Sequence, residues 1–282
     1  MSNIAVSERK EEAIEAHDIY LAEPVLWAKN VLGIELWTMQ RQILEAIRDN
    51  ERVAVRSCFG SGKTYTASIA ALWFLYNFLP STVVTTAPTG RQVKEILWRE
   101  IAQRFGAARF PLDGDLLTTQ LTLDTKWFAI GMSTDNPEAF QGLHNKNVLA
   151  VVDEASGVST EIFTALENPM ASGNAHLLLI GNPTQQTGGF RDAFKADSGF
   201  KTFHISAFDT PNFTELGITR KDIEDGTWMA KQNNKPLPYP TLVSPEWVAG
   251  RYKAWGPGSY LYQVRVEGEF PQQGVNNLFA LD

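Results

Sequence analysis

A lysine and a hydroxyl side chain follow a glycine-containing stretch at residues 57–64. The residues of this loop are Ser57, Cys58, Phe59, Gly60, Ser61, Gly62, Lys63 and Thr64. The loop departs from the phosphate-binding pattern G-x-x-x-x-G-K-[ST] only at its first position, where Ser57 replaces glycine. Gly60 and Gly62 let the backbone curl so that its N–H groups face an anion. We predict that the loop binds ATP, with Lys63 at the β- and γ-phosphates and Thr64 on Mg²⁺.

Two adjacent carboxylates, Asp153 and Glu154, follow the apolar residues 147–152. Such an apolar run is typical of a strand buried on both faces of a parallel sheet, and ligands bind beyond the carboxyl ends of these strands. We predict that Asp153 holds Mg²⁺ through water and that Glu154 is the general base for the attacking water. Taken alone, the loop could be a chance match and the carboxylates a helix cap. Their combination favours nucleotide hydrolysis.

Three weaker signals surround these two. Gln40 stands early in an amphipathic helical pattern, where its amide would contact the adenine edge or simply face solvent. Residues 86–92 (TAPTGRQ) follow a predicted strand, where polar side chains would meet nucleic acid or the γ-phosphate. Asn182 and Thr184 lie in residues 181–184 (GNPT), which either sense the γ-phosphate and relay its loss or form a plain Asn-Pro turn.

Short apolar runs alternate with helical patterns along the chain, which indicates an α/β fold with a mostly parallel sheet. The predicted strands are residues 52–56, 82–86, 147–152, 176–180 and 200–206, with a β-hairpin over 118–130 that turns at Asp124 and Thr125. The predicted helices lie within residues 7–50 and at 63–79 and 89–104. We predict an ATPase core at 1–206 with a helical N-terminal segment, a small subdomain at 207–270 and a linker at 271–282.

Composition narrows the class of protein further. The chain has 282 residues and a formal net charge of −7, which argues against coating nucleic acid by bulk charge but leaves room for a local basic groove. The charged N-terminus lacks an apolar core, and the apolar residues 67–79 are too few to span a bilayer. The single cysteine rules out an internal disulfide and fits a reducing compartment. We expect a soluble intracellular protein without a membrane partner.

Cys58 lies inside the phosphate loop and has two interpretations. Proximity to a helix N-terminus would lower the pKa of its thiol, in which case alkylation would block ATP binding. Alternatively, cysteine is a small residue tolerated in a tight loop. The four histidines show no metal-ligand spacing, so a structural zinc is not expected.

The order of these motifs resembles the ATPase half of the large terminase subunits of tailed phages, which are DNA-packaging motors. The resemblance rests on Gln40, the phosphate loop with Arg56 before it, residues 86–92, the carboxylate strand and residues 181–184. It implies a P-loop, RecA-like fold of the additional-strand class, with a small C-terminal lid subdomain at 207–270. It also suggests that Arg56 contacts the γ-phosphate within the same chain.

The resemblance further implies the partners. These are double-stranded DNA as the translocated substrate, the portal protein of the procapsid and the small terminase subunit. Assembly would be a homo-oligomeric ring, with a monomer in solution as the alternative state. The place of action would be the host cytoplasm, docked on the procapsid and absent from the mature virion. The linker at 271–282 leads towards the position of the family's nuclease half, which has no counterpart here, so we expect no DNA cleavage.

One departure from the family concerns the arginine finger. Where many members have an arginine before a glycine, this chain has Phe140-Gln141-Gly142. No finger is assigned there. The basic side chains of residues 91–109 would contact a neighbouring subunit or DNA, or belong to a solvated helix: Arg91, Lys94, Arg99, Arg104 and Arg109.

Two competing functions stay open. One is a helicase-like remodelling ATPase, although the roughly 75 residues after 207 are too few for a second RecA-like domain. The other is a nucleotide-gated binding module that scarcely hydrolyses ATP.

Overall fold

Eight strands form one sheet in the part of the chain that the computed structural model describes, residues 17–133, 140, 142–171 and 173–271. Their bounds are β1 Arg52–Ser57, β2 Ser81–Ala87, β3 Asp115–Leu116, β4 Gln120–Asp124, β5 Trp127–Ser133, β6 Asn147–Val152, β7 Asn174–Gly181 and β8 Lys201–Ile205. Across the sheet the order is β3-β4-β5-β2-β6-β7-β1-β8. The pairs β3–β4 and β4–β5 are antiparallel and the others are parallel.

Helices flank this sheet and make up the C-terminal part. Their bounds are α1 Pro24–Trp27, α2 Thr38–Asp49, α3 Lys63–Asn77, α4 Gly90–Gln92, α5 Trp98–Gly106, α6 Thr160–Met170, α7 Gly189–Asp192, α8 Pro211–Thr214, α9 Arg220–Asp225, α10 Trp228–Gln232, α11 Pro245–Trp255 and α12 Tyr260–Tyr262. Wider π turns follow α1, α4 and α12 at Ala28–Leu32, Val93–Leu97 and Gln263–Glu267. Tighter 3₁₀ turns lie at Ala155–Gly157 and Ala207–Asp209. Residues 17–22 are also helical.

The central strands are buried along their whole length because helices cover both faces of the sheet. Every residue of β2 and of β6 is buried. Along β1 the side chains alternate between two cores, with Val53 and Val55 in the core of α2 and α3 and Ala54 in the core that includes α6. Each face of the sheet therefore has its own hydrophobic layer, which fixes the strand register.

The predicted α/β fold with a mostly parallel sheet is confirmed, and every predicted strand is present. The hairpin turns at residues 125–126, and its second strand, β5, also pairs in parallel with β2. The helix predicted over 63–79 ends at Asn77. Strand β3 was not predicted, since two residues give no readable alternation. Within the described residues, no helix is both long and apolar enough to cross a membrane.

A third hydrophobic cluster lies in the C-terminal part and includes Phe213, Val248 and Tyr262. It also takes in Cys58 from the phosphate loop, so this part packs directly on the loop. The division predicted at residue 206 stays a prediction. The predicted helices before residue 17 and the predicted linker after residue 271 lie outside the described residues.

Candidate nucleotide-binding site

The carboxyl ends of three adjacent strands bring the predicted site together. Strand β7 lies between β1 and β6, with Arg56 paired to Gly181 and Val152 paired to Leu179. The loop after β1, the carboxylates after β6 and Asn182 after β7 therefore meet at one edge of the sheet. This is the edge at which open α/β sheets bind ligands.

The loop between β1 and α3 depends on two glycines in left-handed conformation. Gly60 has φ +64° and Gly62 has φ +80°, a region that L side chains rarely adopt. Ser57 stands where the phosphate-binding pattern has its first glycine. Its hydroxyl is buried and accepts a hydrogen bond from Ser61 Oγ at 3.0 Å. The loop therefore tolerates serine at this position because the hydroxyl has a partner inside the turn.

Lys63 contacts both of the other strand ends. Its Nζ atom lies 3.2 Å from Glu154 Oε1 and 3.2 Å from Asn182 Oδ1. The Lys63 side chain is only 11% exposed, so its charge is screened little by water. The predicted phosphate-binding lysine thus contacts both the predicted general base, through an ion pair, and the predicted sensor, through a hydrogen bond.

Thr64 and Asp153 form the second polar contact of the site. Thr64 Oγ1 donates to Asp153 Oδ2 at 3.0 Å, and Asp153 Oδ1 accepts from the Glu154 N–H at 2.8 Å. Burial raises the pKa of Asp153 to about 6, with the Glu154 charge adding to the rise and Lys63 opposing it. A buried carboxylate and a neighbouring hydroxyl oxygen are groups that Mg²⁺ prefers as ligands. Among the described residues no group of three or more His, Cys, Asp or Glu could hold a metal ion.

Glu154 has an unusual backbone conformation. Its φ is +47° and its ψ is +42°, which is left-handed and costs free energy for a residue other than glycine. Gly181 allows this turn, because a Cβ built on Gly181 would lie 3.0 Å from the Ala155 backbone nitrogen. Strain held in place by close packing is typical of functional positions. Here it accompanies the side chain that reaches Lys63.

The two predicted coupling residues have different positions. Asn182 is buried and donates from Nδ2 to the Ser57 backbone oxygen at 2.6 Å. Thr184 Oγ1 instead donates to Ser156 Oγ at 3.0 Å, and the Thr184 backbone oxygen accepts from Tyr260 Oη at 2.8 Å. Thr184 therefore links the turn after Glu154 to α12. No sequence motif marked Ser156 or Tyr260, because a lone serine or tyrosine has no spacing signature.

Gln40 lies beside the phosphate loop. It is buried, its Oε1 atom accepts from the Trp37 N–H at 3.3 Å, and its Nε2 atom would be 3.0 Å from a Cβ built on Gly62. The indole Nε1 of Trp37 is also buried and has no hydrogen-bond partner among the described residues. The contact of Gln40 with adenine stays a prediction.

The interpretation of Cys58 as a reactive thiol is wrong. The thiol is fully buried, and burial raises its pKa to about 12, against a lowering effect of Lys63. Its side chain packs in the C-terminal cluster, and its N–H donates to the Ile205 oxygen at 2.8 Å. Proximity to a helix N-terminus is outweighed by desolvation of the thiolate. The interpretation as a small residue in a tight loop agrees with this environment.

Arg56 is not brought to the site. Its guanidinium forms a bidentate ion pair with Glu269, with Nη2 at 3.1 Å from Oε1, and lies over the rings of Phe194 and Phe270. Alternation along β1 sends Arg56 to the same sheet face as Ala54, whereas Lys63 begins α3 on the other side of the loop. This arrangement disagrees with the predicted contact between Arg56 and a γ-phosphate.

The basic residues of the region around α5 have mixed environments. Arg104 is mostly buried over the Tyr65 ring at 4.6 Å, whereas Arg91 and Arg99 are exposed. Arg91 and Arg99 line a groove of about 930 Å³ that also contains Glu95 and Ile96. Their contacts with DNA or a neighbouring subunit stay predictions. Gln141, in the segment without an assignable finger, lies outside the described residues.

Comparison with known proteins places the site in a family context. The family model described as "AAA domain" matches residues 40–191, which contain Gln40, the phosphate loop, both carboxylates and Asn182. A curated relative, the probable terminase large subunit of Enterobacteria phage P7, is 26% identical over 285 residues. That match covers 96% of this chain and 52% of the relative, so the chain spans about half the length of the curated relative it matches.

Solved structures show the same fold at low sequence identity. The large terminase ATPase domain of Thermus phage P74-26 has a TM-score of 0.56 and 17% identity, and the match covers 85% of this chain and 95% of that one. The large terminase of bacteriophage HK97 has a TM-score of 0.57 and 15% identity, and the match covers 90% of this chain and 55% of that one. The large terminase of a thermophilic bacteriophage, solved in complex with ADP, has a TM-score of 0.54 and 13% identity, with 84% and 54% covered. The predicted resemblance is confirmed.

Proposed function

The chain belongs to the AAA domain family, and we propose that it hydrolyses ATP with Mg²⁺ as the motor domain of a phage DNA-packaging enzyme. One observation carries the proposal. At the carboxyl edge of a parallel sheet, Lys63 forms an ion pair with Glu154, and Thr64 donates a hydrogen bond to Asp153. Such positioning and electrostatics supply most of the catalysis in phosphoryl transfer.

Each of these side chains has a separate role in the proposal. Lys63 stabilises charge on the β- and γ-phosphates, and the loop N–H groups from Gly60 onwards face the same oxygens. Thr64 would hold Mg²⁺ directly and Asp153 would hold it through water. When bound, the ion neutralises charge on the phosphate oxygens. Gln40 would contact the adenine edge.

Glu154 is the proposed general base. A γ-phosphate that takes the Lys63 ammonium would release Glu154 from its ion pair with that lysine. The freed carboxylate then accepts a proton from water as the water oxygen bonds to the γ-phosphorus. The bond from that phosphorus to the β–γ bridging oxygen breaks, and ADP and phosphate result.

Loss of the γ-phosphate would be relayed by Asn182 and Thr184. Asn182 contacts Lys63 and the Ser57 backbone, and Thr184 contacts Ser156 and Tyr260. Tyr260 begins α12, so this route leads from the site to the proposed lid subdomain at 207–270. We include the core at 1–206 and this lid in the proposal.

The substrate and partners rest on the family relationship. The named relatives are terminase large subunits, and we propose double-stranded DNA as the translocated substrate. The portal protein of a procapsid, the small terminase subunit and further copies of this chain would be its partners in the host cytoplasm. We propose that these 282 residues contribute ATP hydrolysis and no DNA cleavage.

The test is steady-state ATP hydrolysis across a protein concentration series, with and without linear duplex DNA. A motor that is completed by neighbouring copies gives turnover that rises more than linearly with protein concentration and increases with DNA. Negligible turnover despite tight ATP binding would instead support the nucleotide-gated module. Strand separation of a forked duplex would support the helicase-like alternative.

A further inference from the structure

The backbone at residues 268–271 crosses directly over the start of the phosphate loop. Gly268 has φ +66°, and a Cβ built on it would lie 2.5 Å from the Ile205 oxygen and 2.8 Å from the Cys58 nitrogen. No side chain fits in that space, so the main chain itself covers the loop. We call residues 268–271 the coupling segment.

Glu269 attaches this segment to strand β1. Its carboxylate forms the bidentate ion pair with Arg56, and His204 Nε2 lies 3.4 Å from Glu269 Oε1. The Glu269 N–H donates to the Gln263 oxygen at 2.9 Å, so the residue is held at both its side chain and its backbone. Arg56 is the residue directly before the loop. The ion pair therefore joins the coupling segment to the strand residue that directly precedes the loop.

Phe270 and Pro271 attach the segment to a second place beside the site. The Phe270 ring lies 5.4 Å from the Phe194 ring and 4.6 Å from the Arg191 guanidinium. The Pro271 oxygen accepts from Gln186 Nε2 at 2.7 Å. Gln186 comes two residues after Thr184, in the segment that follows β7. The coupling segment thus contacts chain that flanks the site on both sides.

A short series of contacts joins Lys63 to these attachments. Lys63 contacts Asn182 Oδ1 at 3.2 Å, and Asn182 Nδ2 donates to the Ser57 oxygen at 2.6 Å. Ser57 is covalently bonded to Arg56. A phosphate that draws Lys63 away from Asn182 therefore changes the forces on the Ser57 peptide, next to the Arg56–Glu269 ion pair.

We propose that nucleotide occupancy and the attachment of the coupling segment are thermodynamically coupled through Arg56 and Gln186. The inference rests on the proposed ATP site and goes beyond it, since it gives Glu269 a positioning role outside the site. A cavity of about 350 Å³ borders Arg56, His204 and Glu269, so these side chains have room to rearrange without overpacking. Coupling of this kind is reciprocal. Nucleotide binding changes the equilibrium constant for attachment of the segment, and loss of the attachment changes the nucleotide affinity by the same factor.

The chain offers a matched control for the ion pair. Arg52 lies on the same face of β1, four residues earlier, and pairs with Glu167 in the same bidentate manner at 3.1 and 2.9 Å. It has no link to the loop through Ser57. The test compares Glu269→Ala with Glu167→Ala in the 282-residue chain, by calorimetric titration with ADP and with the slowly hydrolysed analogue ATPγS.

We expect Glu269→Ala to change the Kd for at least one nucleotide by about fivefold or more, and Glu167→Ala to change it by less than about twofold. Equal Kd values for wild type and Glu269→Ala would overturn the coupling, and so would equal effects of the two variants. No binding by the wild type would overturn the proposed ATP site and the coupling with it. If the wild type binds nucleotide and Glu269→Ala binds it with the same Kd, only the coupling is overturned and the proposed ATP site stands.

Amide hydrogen exchange at Glu269 is a second measurement, made on the wild type and therefore independent of how the variants fold. We expect nucleotide to change the exchange rate of the Glu269 N–H, which is bonded to the Gln263 oxygen. The signs must agree. If nucleotide speeds exchange, Glu269→Ala tightens binding, and if nucleotide slows exchange, the variant weakens binding. An unchanged exchange rate or opposite signs would overturn the proposal.

Discussion

Lys63 Nζ lies 3.2 Å from Glu154 Oε1, so the lysine that we propose binds phosphate is paired with the carboxylate that we propose activates water. Asn182 accepts from the same ammonium. The pairing holds the Glu154 carboxylate beside the Lys63 ammonium, and it gives phosphate binding a direct way to free the proposed base.

Replacing Lys63 by alanine is expected to remove most phosphate binding. The ammonium supplies the positive charge nearest to Glu154, and its loss should lower ATP hydrolysis by roughly 10³-fold or more. Phosphate release measures the effect, and Lys126→Ala, exposed at the turn between β4 and β5, serves as the control for loss of a positive charge. Hydrolysis by Lys63→Ala close to that of the control would contradict the assigned role.

Replacing Asp153 by asparagine should separate stability from activity. Burial raises the pKa of Asp153 to about 6, so the ionised side chain costs folding free energy at pH 7 when no cation is bound. The neutral amide removes that cost, and we expect an unchanged or higher Tm without Mg²⁺ together with loss of Mg²⁺-dependent hydrolysis. Thermal melting and a Mg²⁺ titration of the hydrolysis rate measure the two effects. A large fall in Tm would show that the charge itself stabilises the fold.

Gly268→Ala tests the close contact over the phosphate loop. The added Cβ would meet backbone atoms at 2.5 and 2.8 Å in a residue with φ +66°, so we expect destabilisation by about 2 kcal/mol or more. The control is Gly250→Ala in α11, where a Cβ meets nothing within 4 Å and helix propensity favours alanine by about 1 kcal/mol. Urea unfolding measures both. Equal stability of the two variants would mean that the coupling segment does not lie against the loop.

His176 predicts a pH dependence of stability. Burial lowers the pKa of His176 in the folded chain, while the unfolded chain keeps a value near 6.5. The unfolded state therefore binds the proton more readily, and the contribution of neutral His176 is present above pH 6.5 and is lost as pH falls further. Urea unfolding at pH 5.5 to 7.5, with steps of about 0.5, should give a flatter profile for His176→Gln than for wild type. Equally steep profiles for wild type and His176→Gln would contradict this assignment.

The sequence predicted most of the sheet because its central strands are buried on both faces. Residues 147–152 could be read as a strand from composition alone, and the structure has the same bounds for β6. Strand β3 could not be found, since its two residues take their pairing from β4 alone. The proximity of Lys63 and Glu154 could be predicted from the sequence because both residues follow parallel strands, and the carboxyl ends of such strands meet at one edge of the sheet.

Other parts of the site depend on tertiary contacts that no motif encodes. Arg56 precedes the phosphate loop and was expected at the γ-phosphate, but alternation along β1 and the distant Glu269 take its side chain elsewhere. The place of Cys58 in the loop allowed a reactive thiol, and its pKa is instead raised by burial under the C-terminal cluster. In both cases the deciding residues lie about 150 or more positions away in the chain.

The most direct test of the account is ATP hydrolysis by Glu154→Gln, compared with wild type and with the exposed control Glu161→Gln. Glutamine keeps the shape of Glu154 and cannot take a proton from water. We expect the variant to bind ATP with Mg²⁺ at near wild-type affinity and to hydrolyse it roughly 10³-fold more slowly, with the control unaffected. Equal hydrolysis by wild type and Glu154→Gln would show that Glu154 is not the base, and the proposed active site would then have to be placed elsewhere.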